Sequence, residues 1–534
     1  MARQKLGIGV QAFQFFHNEG MTYVDKTEKI HELMQLGIHN FIIRPRRFGK
    51  SLLLDTISSI YEGSKEQFVG TWIYDKIDWE AQKRPTLRID FTGIEYNVFS
   101  LEQGLQNYLR PIAKKLDIDL TQLSAKDLFK QIIEKMAEDK PIAILIDEYE
   151  MPVTDFVGKN EEKLQENIDT LKRFYSTMKF ASRSIHRSYI TGVTKIGRIA
   201  VLSDLNMLND LSLDVRFSTL FGYTEAELHK YYGEYIELAA QKHGVSIEAI
   251  SKRIKQHYDG YSWDGIEENK VYNPFSIVNF FQSLKFRNYW FNTGTPTILV
   301  RGARKQQITM QDLEHFFASG NLLENANLRE FYSHSLLFQA GYLTIKEVMS
   351  DDDFVLGFPN QEVRSSFASY LLAEYMDKDW ANMEYTIAHK LKRHLEDEEL
   401  QAAFQIFAPV ISSTSYDITK HTEGFFHTIM HVLMYSTGLV TFSELENAQG
   451  RLDTVCIAEK AVYIFEFKLN ETAEAAIRQI KTKNYATRFS VENKALYIIG
   501  VNFVSAEKKI NEILVEKREN EVFTRLAGDF VPMQ

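Results

Sequence analysis

The run Phe41-Ile42-Ile43-Arg44-Pro45-Arg46-Arg47-Phe48-Gly49-Lys50-Ser51 joins an apolar strand to a basic loop and a Gly-Lys-Ser triplet, directly ahead of an amphipathic stretch at 52–61. Backbone N–H groups at a helix start, together with the helix dipole, favour an anion at that point. Lys50 then has the reach for the β and γ phosphates of ATP, and the Ser51 hydroxyl is a ligand for Mg²⁺. Arg46, Arg47 and Gly49 complete the expected nucleotide-binding set. Arg44 belongs to it as well, although it stands where the pattern G-x-x-x-x-G-K-[ST] carries its first glycine. The bland alternative is a basic strand-to-helix turn with no ligand.

A second run speaks against that alternative. Ile142-Ala143-Ile144-Leu145-Ile146-Asp147-Glu148 is a buried-strand sequence ending in two acids. Asp147 is placed to hold Mg²⁺ through water, and Glu148 to orient or deprotonate the attacking water. In Tyr189-Ile190-Thr191-Gly192-Val193-Thr194-Lys195, Thr194 is a candidate γ-phosphate sensor, or equally a polar residue that ends a strand. Arg183, Arg187 and Arg198 are candidate arginine fingers whose plain reading is a solvated position.

A separate constellation lies near the carboxyl terminus. In Ile464-Phe465-Glu466-Phe467-Lys468, strand alternation puts Glu466 and Lys468 on one face and the phenylalanines in the core. Asp453, in Gly450-Arg451-Leu452-Asp453, sits on the preceding strand, and a hairpin brings the two carboxylates together. Oxygen ligands suit Mg²⁺, so Asp453 and Glu466 form a candidate metal site with the Phe467 carbonyl as an extra ligand. Lys468 is placed to position a water or to stabilise developing charge in phosphodiester cleavage. By itself Glu-x-Lys is more often a solvated strand edge. Glu423, His427 and His431 share a helix face at four-residue spacing, which admits a transition metal but more often marks structural histidines.

The elements that must position these groups are legible as patterns. Over the first 220 residues, strands expected at 39–44, 86–91, 142–147 and 188–194 alternate with amphipathic helices at 100–116, 125–139 and 162–181, the signature of a mostly parallel sheet. From 223 onward the pattern turns mainly helical, with a small helix and strand unit at 333–358. From 423 a compact α/β module follows: a long helix, strands through Glu444, Val455 and Phe467, a helix at 472–485 and a strand at 495–501. Domains are expected at 1–220, 221–400 and 401–534.

A chain of 534 residues exceeds one hydrophobic core. With 44% hydrophobic and 25% charged residues it reads as globular. One cysteine, Cys456, excludes an intramolecular disulfide and, with no apolar leader and no spanning segment, points to a cytoplasmic protein away from membranes. The net charge of −10 repels a polyanion on average, so nucleic acid must meet a local basic surface or a bound cation. Candidates for that surface are 389–394 and Arg478, Lys481 and Lys483, which otherwise read as solvated helix faces.

Tyr23-Val24-Asp25-Lys26-Thr27, the arginine-rich loop 44–51, Ile146-Asp147-Glu148-Tyr149 and Thr191-Gly192-Val193 together resemble the AAA-ATPase-like family of bacterial proteins that end in a PD-(D/E)XK nuclease-like domain. The arginine-rich loop is usual in that family, so the resemblance implies nucleotide binding despite Arg44. Tyr258-Asp259-Gly260-Tyr261, Tyr272-Asn273-Pro274-Phe275 and Asn288-Tyr289-Trp290 extend it through the middle region. In the carboxy-terminal module, Asp453, Glu466 and Lys468 match the three signature positions, Glu423 the acid of the first helix, and Gln479 with Tyr485 the Q-x(n)-Y of the helix after the active strand.

The implied architecture is α/β: a P-loop NTPase sheet domain of RecA/AAA type, a helical middle region and a restriction-endonuclease-like module. The implied function is an ATP-binding and ATP-hydrolysing protein coupled to an Mg²⁺-dependent nuclease, with DNA ahead of RNA as substrate and an oligomer allowed. The competing reading is a nucleotide-dependent interaction or signalling switch whose nuclease-like domain binds without cutting.

Overall fold

The computed structural model describes residues 4–121, 123–195, 202, 208–290, 310–324, 334–375, 384–412, 423–447, 450–483, 486, 489, 494–504, 509–519, 522–527 and 530. The chain forms two compact units, one of residues 1–290 with 317–360, the other of 291–316 with 361–534.

The first unit is built on a five-stranded parallel sheet of β1 (His39–Ile43), β2 (Thr86–Asp90), β3 (Ile142–Asp147), β4 (Ile185–Gly192) and β5 (Leu208–Asp210), in the order β2-β3-β4-β1-β5. β1 and β3 are buried along their whole length, as continuous apolar runs in a two-sided sheet must be. Helix α1 (Thr27–Met34) precedes β1, and α2 (Lys50–Glu62), α3 (Leu101–Lys115), α4 (Ala125–Met136) and α5 (Glu161–Phe180) run between the strands. Ser100, Ser124 and Asn160 cap α3, α4 and α5 by accepting the N–H three residues on, which fixes where each helix starts. α2 buries Leu53, Leu54, Ile57 and Ile60 and stops at Gly63, which takes the left-handed conformation (φ +76°) that closes a helix. All strands point the same way, so Gly49, Asp147 and Thr191 lie at one edge of the sheet, where open α/β folds gather ligands.

The expected strands are all present. β4 begins three residues earlier than the pattern suggested, and the three-residue β5 was not anticipated, because Leu-Asn-Asp has neither the length nor the apolar run of a strand.

The rest of this unit is mainly helical. A two-stranded ribbon of β6 (Tyr223–Thr224) and β7 (Val271–Tyr272) brackets α6 (Glu225–His243) and α7 (Ile247–Tyr258), and α8 (Pro274–Ser283) follows. Thr224 and Glu227 form a reciprocal capping box on α6. Tyr232, Ile236, Ile254, Tyr258, Ile277 and Phe280 belong to one buried cluster that joins the three helices. A three-stranded sheet of β8 (Phe316–Ser319), β9 (Thr344–Ser350) and β10 (Asp353–Gly357), with α9 (His334–Gln339), completes it.

The second unit includes α10 (Gln361–Tyr375) and α11 (Glu384–Glu396), and carries α12 (Glu423–Ser436) beside a six-stranded sheet. The strands are β11 (Val440–Asn447), β12 (Gly450–Ile457), β13 (Ala461–Leu469), β14 (Ala495–Val504), β15 (Lys509–Glu519) and β16 (Val522–Arg525), in sequential order. Only β13 and β14 pair in parallel, across the helix α13 (Ala473–Thr482); the other neighbours are antiparallel. α13 sits so close to β14 that a Cβ on Gly500 would lie 2.3 Å from the Ala473 carbonyl oxygen, so only glycine fits there. No helix among the described residues is long and apolar enough to cross a membrane.

Candidate nucleotide and metal sites

The phosphate loop turns between β1 and α2 through two left-handed residues, Arg47 (φ +68°) and Gly49 (φ +93°). That conformation is easy for glycine and unfavourable for arginine, so the loop is held from outside. Much of the hold comes from the helical middle. Arg44 is buried, and its guanidinium donates to the carbonyls of Ile43 (2.8 Å), Ser212 (2.9 Å) and Phe217 (3.1 Å) while lying 4.1 Å from the Trp263 ring centre. Burial lowers its pKa to about 9, against the opposing pull of Asp210 and Asp264. Phe48 packs edge-on to Tyr261 and Trp263. The Trp290 indole N–H donates to the Arg46 carbonyl at 2.9 Å, and the Arg47 guanidinium stands 5.2 Å from the Phe275 ring centre. Gly341 abuts Pro45. The motifs around Tyr261, Phe275 and Trp290 thus form a cradle under the phosphate loop, a role that nothing in their spacing disclosed.

Arg44 was expected among the nucleotide-binding residues. Its guanidinium is bound to backbone carbonyls, so its place is in the support of the loop. Arg46 and Arg47 remain on the outer side of the loop, and Arg46 is exposed.

Lys50 is buried. Its ammonium donates to the carbonyls of Arg44 (3.2 Å) and Pro45 (3.3 Å) and lies 3.4 Å from the Glu148 carboxylate. The Ser51 hydroxyl donates to Asp147 at 2.5 Å, and the Thr191 hydroxyl donates to the other oxygen of Asp147 at 2.8 Å. Lys50, Ser51, Asp147 and Glu148 are therefore brought together as the sequence suggested. Glu148 itself has a left-handed backbone (φ +50°), a strained position at the end of β3.

Thr194 is not the threonine that meets Asp147. Its N–H, with that of Val193, donates to Glu150 (2.9 and 2.5 Å), and its buried hydroxyl has no partner among the described atoms. Thr191 and Glu150 are the site neighbours that sequence reasoning missed. The register held the clue for Thr191: Ile190 pairs with Ile146, so the next residue on β4 comes beside Asp147. Burial and the nearby Glu148 raise the Glu150 pKa to about 8. Of the arginine-finger candidates, Arg187 bonds the Met34 carbonyl near the opposite end of β4, and Arg198 lies outside the described residues.

In the second unit, β12 and β13 pair as far as Thr454 and Phe465. One step beyond, the Asp453 carboxylate accepts the Phe467 N–H at 2.7 Å. That bond fixes the Asp453 side chain against β13. Glu466 is 1% exposed, one of its oxygens has no hydrogen-bond partner among the described atoms, and the Lys468 ammonium lies 3.6 Å from the other. Burial, then the negative charge of Asp453, raises the Glu466 pKa to about 8. Two acids confined in one buried place need a proton or a cation.

β13 is buried on both faces over most of its length, so the motif is not a solvated strand edge. His427 reaches Asp453 at 3.7 Å and packs on the Phe467 ring, 5.4 Å between centres. Glu423 opens α12 one turn earlier, on the same helix face, with a side chain outside the described residues. Among the described residues no group of three or more His, Cys, Asp or Glu side chains converges to hold a metal ion. The orphaned Glu466 oxygen and the neighbouring Asp453 carboxylate nevertheless fit a hard divalent cation completed by further oxygen ligands.

Gln479 is half-buried on α13, and Tyr485 lies outside the described residues. Of the basic candidates, Lys481 is paired with Glu516 at 2.6 Å and His394 with Glu399 at 2.6 Å, whereas Arg478 is exposed.

Residues 7–202 match the family model described as predicted AAA-ATPase, and residues 421–513 match that of the PD-(D/E)XK nuclease superfamily. A protein of Azotobacter chroococcum mcd 1, described as "Uncharacterized protein in vnfD 5'region", is 31% identical over 530 residues, covering 97% of this chain and 99% of its own length. With a relative alike from end to end and both family models falling on the two sites, the chain belongs to the family of predicted AAA-ATPases that carry a PD-(D/E)XK nuclease superfamily domain.

Proposed function

We propose that the protein binds and hydrolyses ATP at the Lys50 site, and that its nucleotide state licenses Mg²⁺-dependent cleavage of DNA at the Asp453 and Glu466 site. The reading is carried by the buried Asp453 and Glu466 pair, with one Glu466 oxygen unpartnered and Lys468 beside it. The expected division into 1–220, 221–400 and 401–534 assigns these tasks to the first and last segments.

At the first site, Lys50 exchanges the loop carbonyls and Glu148 for the β and γ phosphates. This exchange frees Glu148 to orient the attacking water. Ser51 and Asp147, already in contact, are the residues to hold Mg²⁺, and Thr191 keeps Asp147 in its rotamer. At the second site Asp453 and Glu466 hold the cation, with Glu423 the expected further oxygen donor. Bound Mg²⁺ supplies an activated water and charge neutralisation at the scissile phosphate. Lys468 positions the nucleophile or stabilises the developing charge, and the Phe467 N–H keeps Asp453 aimed.

Purified protein with Mg²⁺ and ATP is expected to cleave DNA, and Glu466→Ala or Lys468→Ala to abolish cleavage with ATP affinity unchanged. Intact DNA under every combination of divalent metal and nucleotide would overturn the nuclease reading in favour of a switch that binds without cutting.

A further inference from the structure

The edge of the parallel sheet opposite the phosphate loop gathers positive charge that the ATP site does not use. β3 and β4 pair Ile142 with Ile185 and Ala143 with Arg187, so β4 has one residue more there and His186 forms a β-bulge. A bulge interrupts strand alternation and re-aims a side chain, so His186 and Arg187 need not take opposite faces. Tyr61, near the end of α2, meets both sides of this bulge. Its ring lies 5.9 Å from that of His186, and its hydroxyl is 2.9 Å from that of Tyr189, which shares a strand face with Arg187. Arg84, just ahead of β2, completes the group. Its N–H donates to the Tyr61 carbonyl at 3.0 Å, and its guanidinium stands 5.3 Å from the Tyr61 ring centre.

Both guanidinium groups are half-buried and lack an acid. Arg84 donates to the carbonyls of Gln82 at 3.0 Å and Ala81 at 3.5 Å, and Arg187 donates through Nε to that of Met34. Neither arginine, nor His186, is paired with a carboxylate among the described residues. By contrast Arg88, further along β2, meets Asp55 at 2.8 Å, and the buried Lys195 meets Asp210 at 2.8 Å. The cations are close enough to act on one another. Burial, then Arg84 and Arg187, lower the His186 pKa to about 4, so at pH 7 the imidazole is neutral and keeps one N–H to donate. Two like charges held in partial burial lack a counter-ion, in a chain whose net charge is −10.

We propose that Arg84, His186 and Arg187 form a second phosphate-binding site, which takes a phosphate dianion. Guanidinium forks bond phosphate oxygens in pairs, and two of them match the two negative charges of a terminal or free phosphate. A carboxylate would leave one of them unmatched. Arg187 lies four residues along β4 from Thr191, about 13 Å at roughly 3.3 Å per residue, so one phosphate cannot serve this site and the ATP site together. Inorganic phosphate and the phosphorylated end of a nucleic-acid strand share this chemistry.

Calorimetry in EDTA on the full chain carrying Lys50→Ala tests this with the ATP lysine and any divalent metal removed. The probes are inorganic phosphate and a short single-stranded DNA ending in a 5′-phosphate or a 5′-hydroxyl. This parent should bind inorganic phosphate with a Kd of about 1 mM or tighter, or bind the 5′-phosphate strand at least about tenfold more tightly than the 5′-hydroxyl strand. The first result identifies a free ion as the ligand and the second a strand end. Adding Arg84→Gln or Arg187→Gln should weaken binding about tenfold, the scale of one charge-assisted contact, and adding both about 100-fold. His186→Glu, which supplies the missing acid between the arginines, should abolish binding while the melting temperature holds or rises. Phosphate should raise the melting temperature of the parent and leave that of His186→Glu unchanged. Binding of equal strength in the parent, the double substitution and His186→Glu would overturn the site. So would a parent that binds no inorganic phosphate and does not distinguish the two strands.

Discussion

The two sites answer opposite electrostatic problems, and their resting states differ accordingly. In the first unit the groups expected to meet phosphate and metal are partnered: Lys50 lies against Glu148 and two carbonyls, and Ser51 and Thr191 both donate to Asp147, while the raised pKa of Glu150 arises one layer behind them. In the second unit Glu466 is buried with an unpartnered oxygen and a pKa pushed up to about 8, beside a second acid. A pocket for an anion can satisfy its cation internally while it waits. A pocket for a cation concentrates like charges, which Lys468 and Lys483 relieve only in part. The first site must therefore exchange partners to bind, whereas the second gains a missing one.

The strongest way to break this comparison is at the second site. Glu466→Ala should lower DNA cleavage by about 10³-fold, the scale of a metal-bound charge lost from a phosphoryl-transfer site, measured as single-turnover cleavage. It should also abolish any Mg²⁺-dependent rise in melting temperature. At the first site, Lys50→Ala should weaken ATP binding by about 10²-fold, the worth of a buried charge-assisted contact, with Mg²⁺-dependent melting retained.

Asp259 sharpens the contrast, because it is a buried acid far from either set of metal ligands in the sequence. Burial raises its pKa to about 6 from 3.8. The native state therefore holds this proton more tightly than the unfolded chain, so stability falls as pH rises from about 4 to about 6 and this loss is complete above that range. Asp259→Asn should remove that slope and stabilise the protein at pH 7 by about 2 kcal/mol without any metal, read from denaturant melts at several pH values. An equal gain at pH 4 would show that the cause is not the charge. The smallest effect is expected of Thr191→Val, which should slow ATP hydrolysis about fivefold with ATP affinity nearly unchanged, because it removes one hydrogen bond from Asp147.

Much of this was legible in the sequence, for reasons that differ between the sites. Buried strands are continuous apolar runs, so β1, β3 and β13 announced themselves, and the chemical groups stand at their ends or within them. Lys50, Ser51, Asp147, Asp453, Glu466 and Lys468 followed from local spacing alone. What depends on the sheet order was hidden. Thr191 meets Asp147 only because β4 lies between β1 and β3, and periodicity does not encode the order of strands. Arg44 looked like a phosphate ligand because its carbonyl partners, at Ser212 and Phe217, lie about 170 residues away in the chain. In the cradle, Tyr261, Phe275 and Trp290 were visible as motifs but not as a support, and Trp263 stood in none of them, since aromatic character is equally consistent with an ordinary core.

The central claim is that the chain holds two separable ion-binding sites of opposite sign, the first governing the second. It is tested most directly by one cleavage assay on wild type, Lys50→Ala and Asp453→Ala, each with Mg²⁺ in the presence and absence of ATP. The account predicts that Asp453→Ala leaves DNA intact in both conditions while still binding ATP, and that Lys50→Ala loses the response to ATP. Cleavage by Asp453→Ala at the wild-type rate would contradict it.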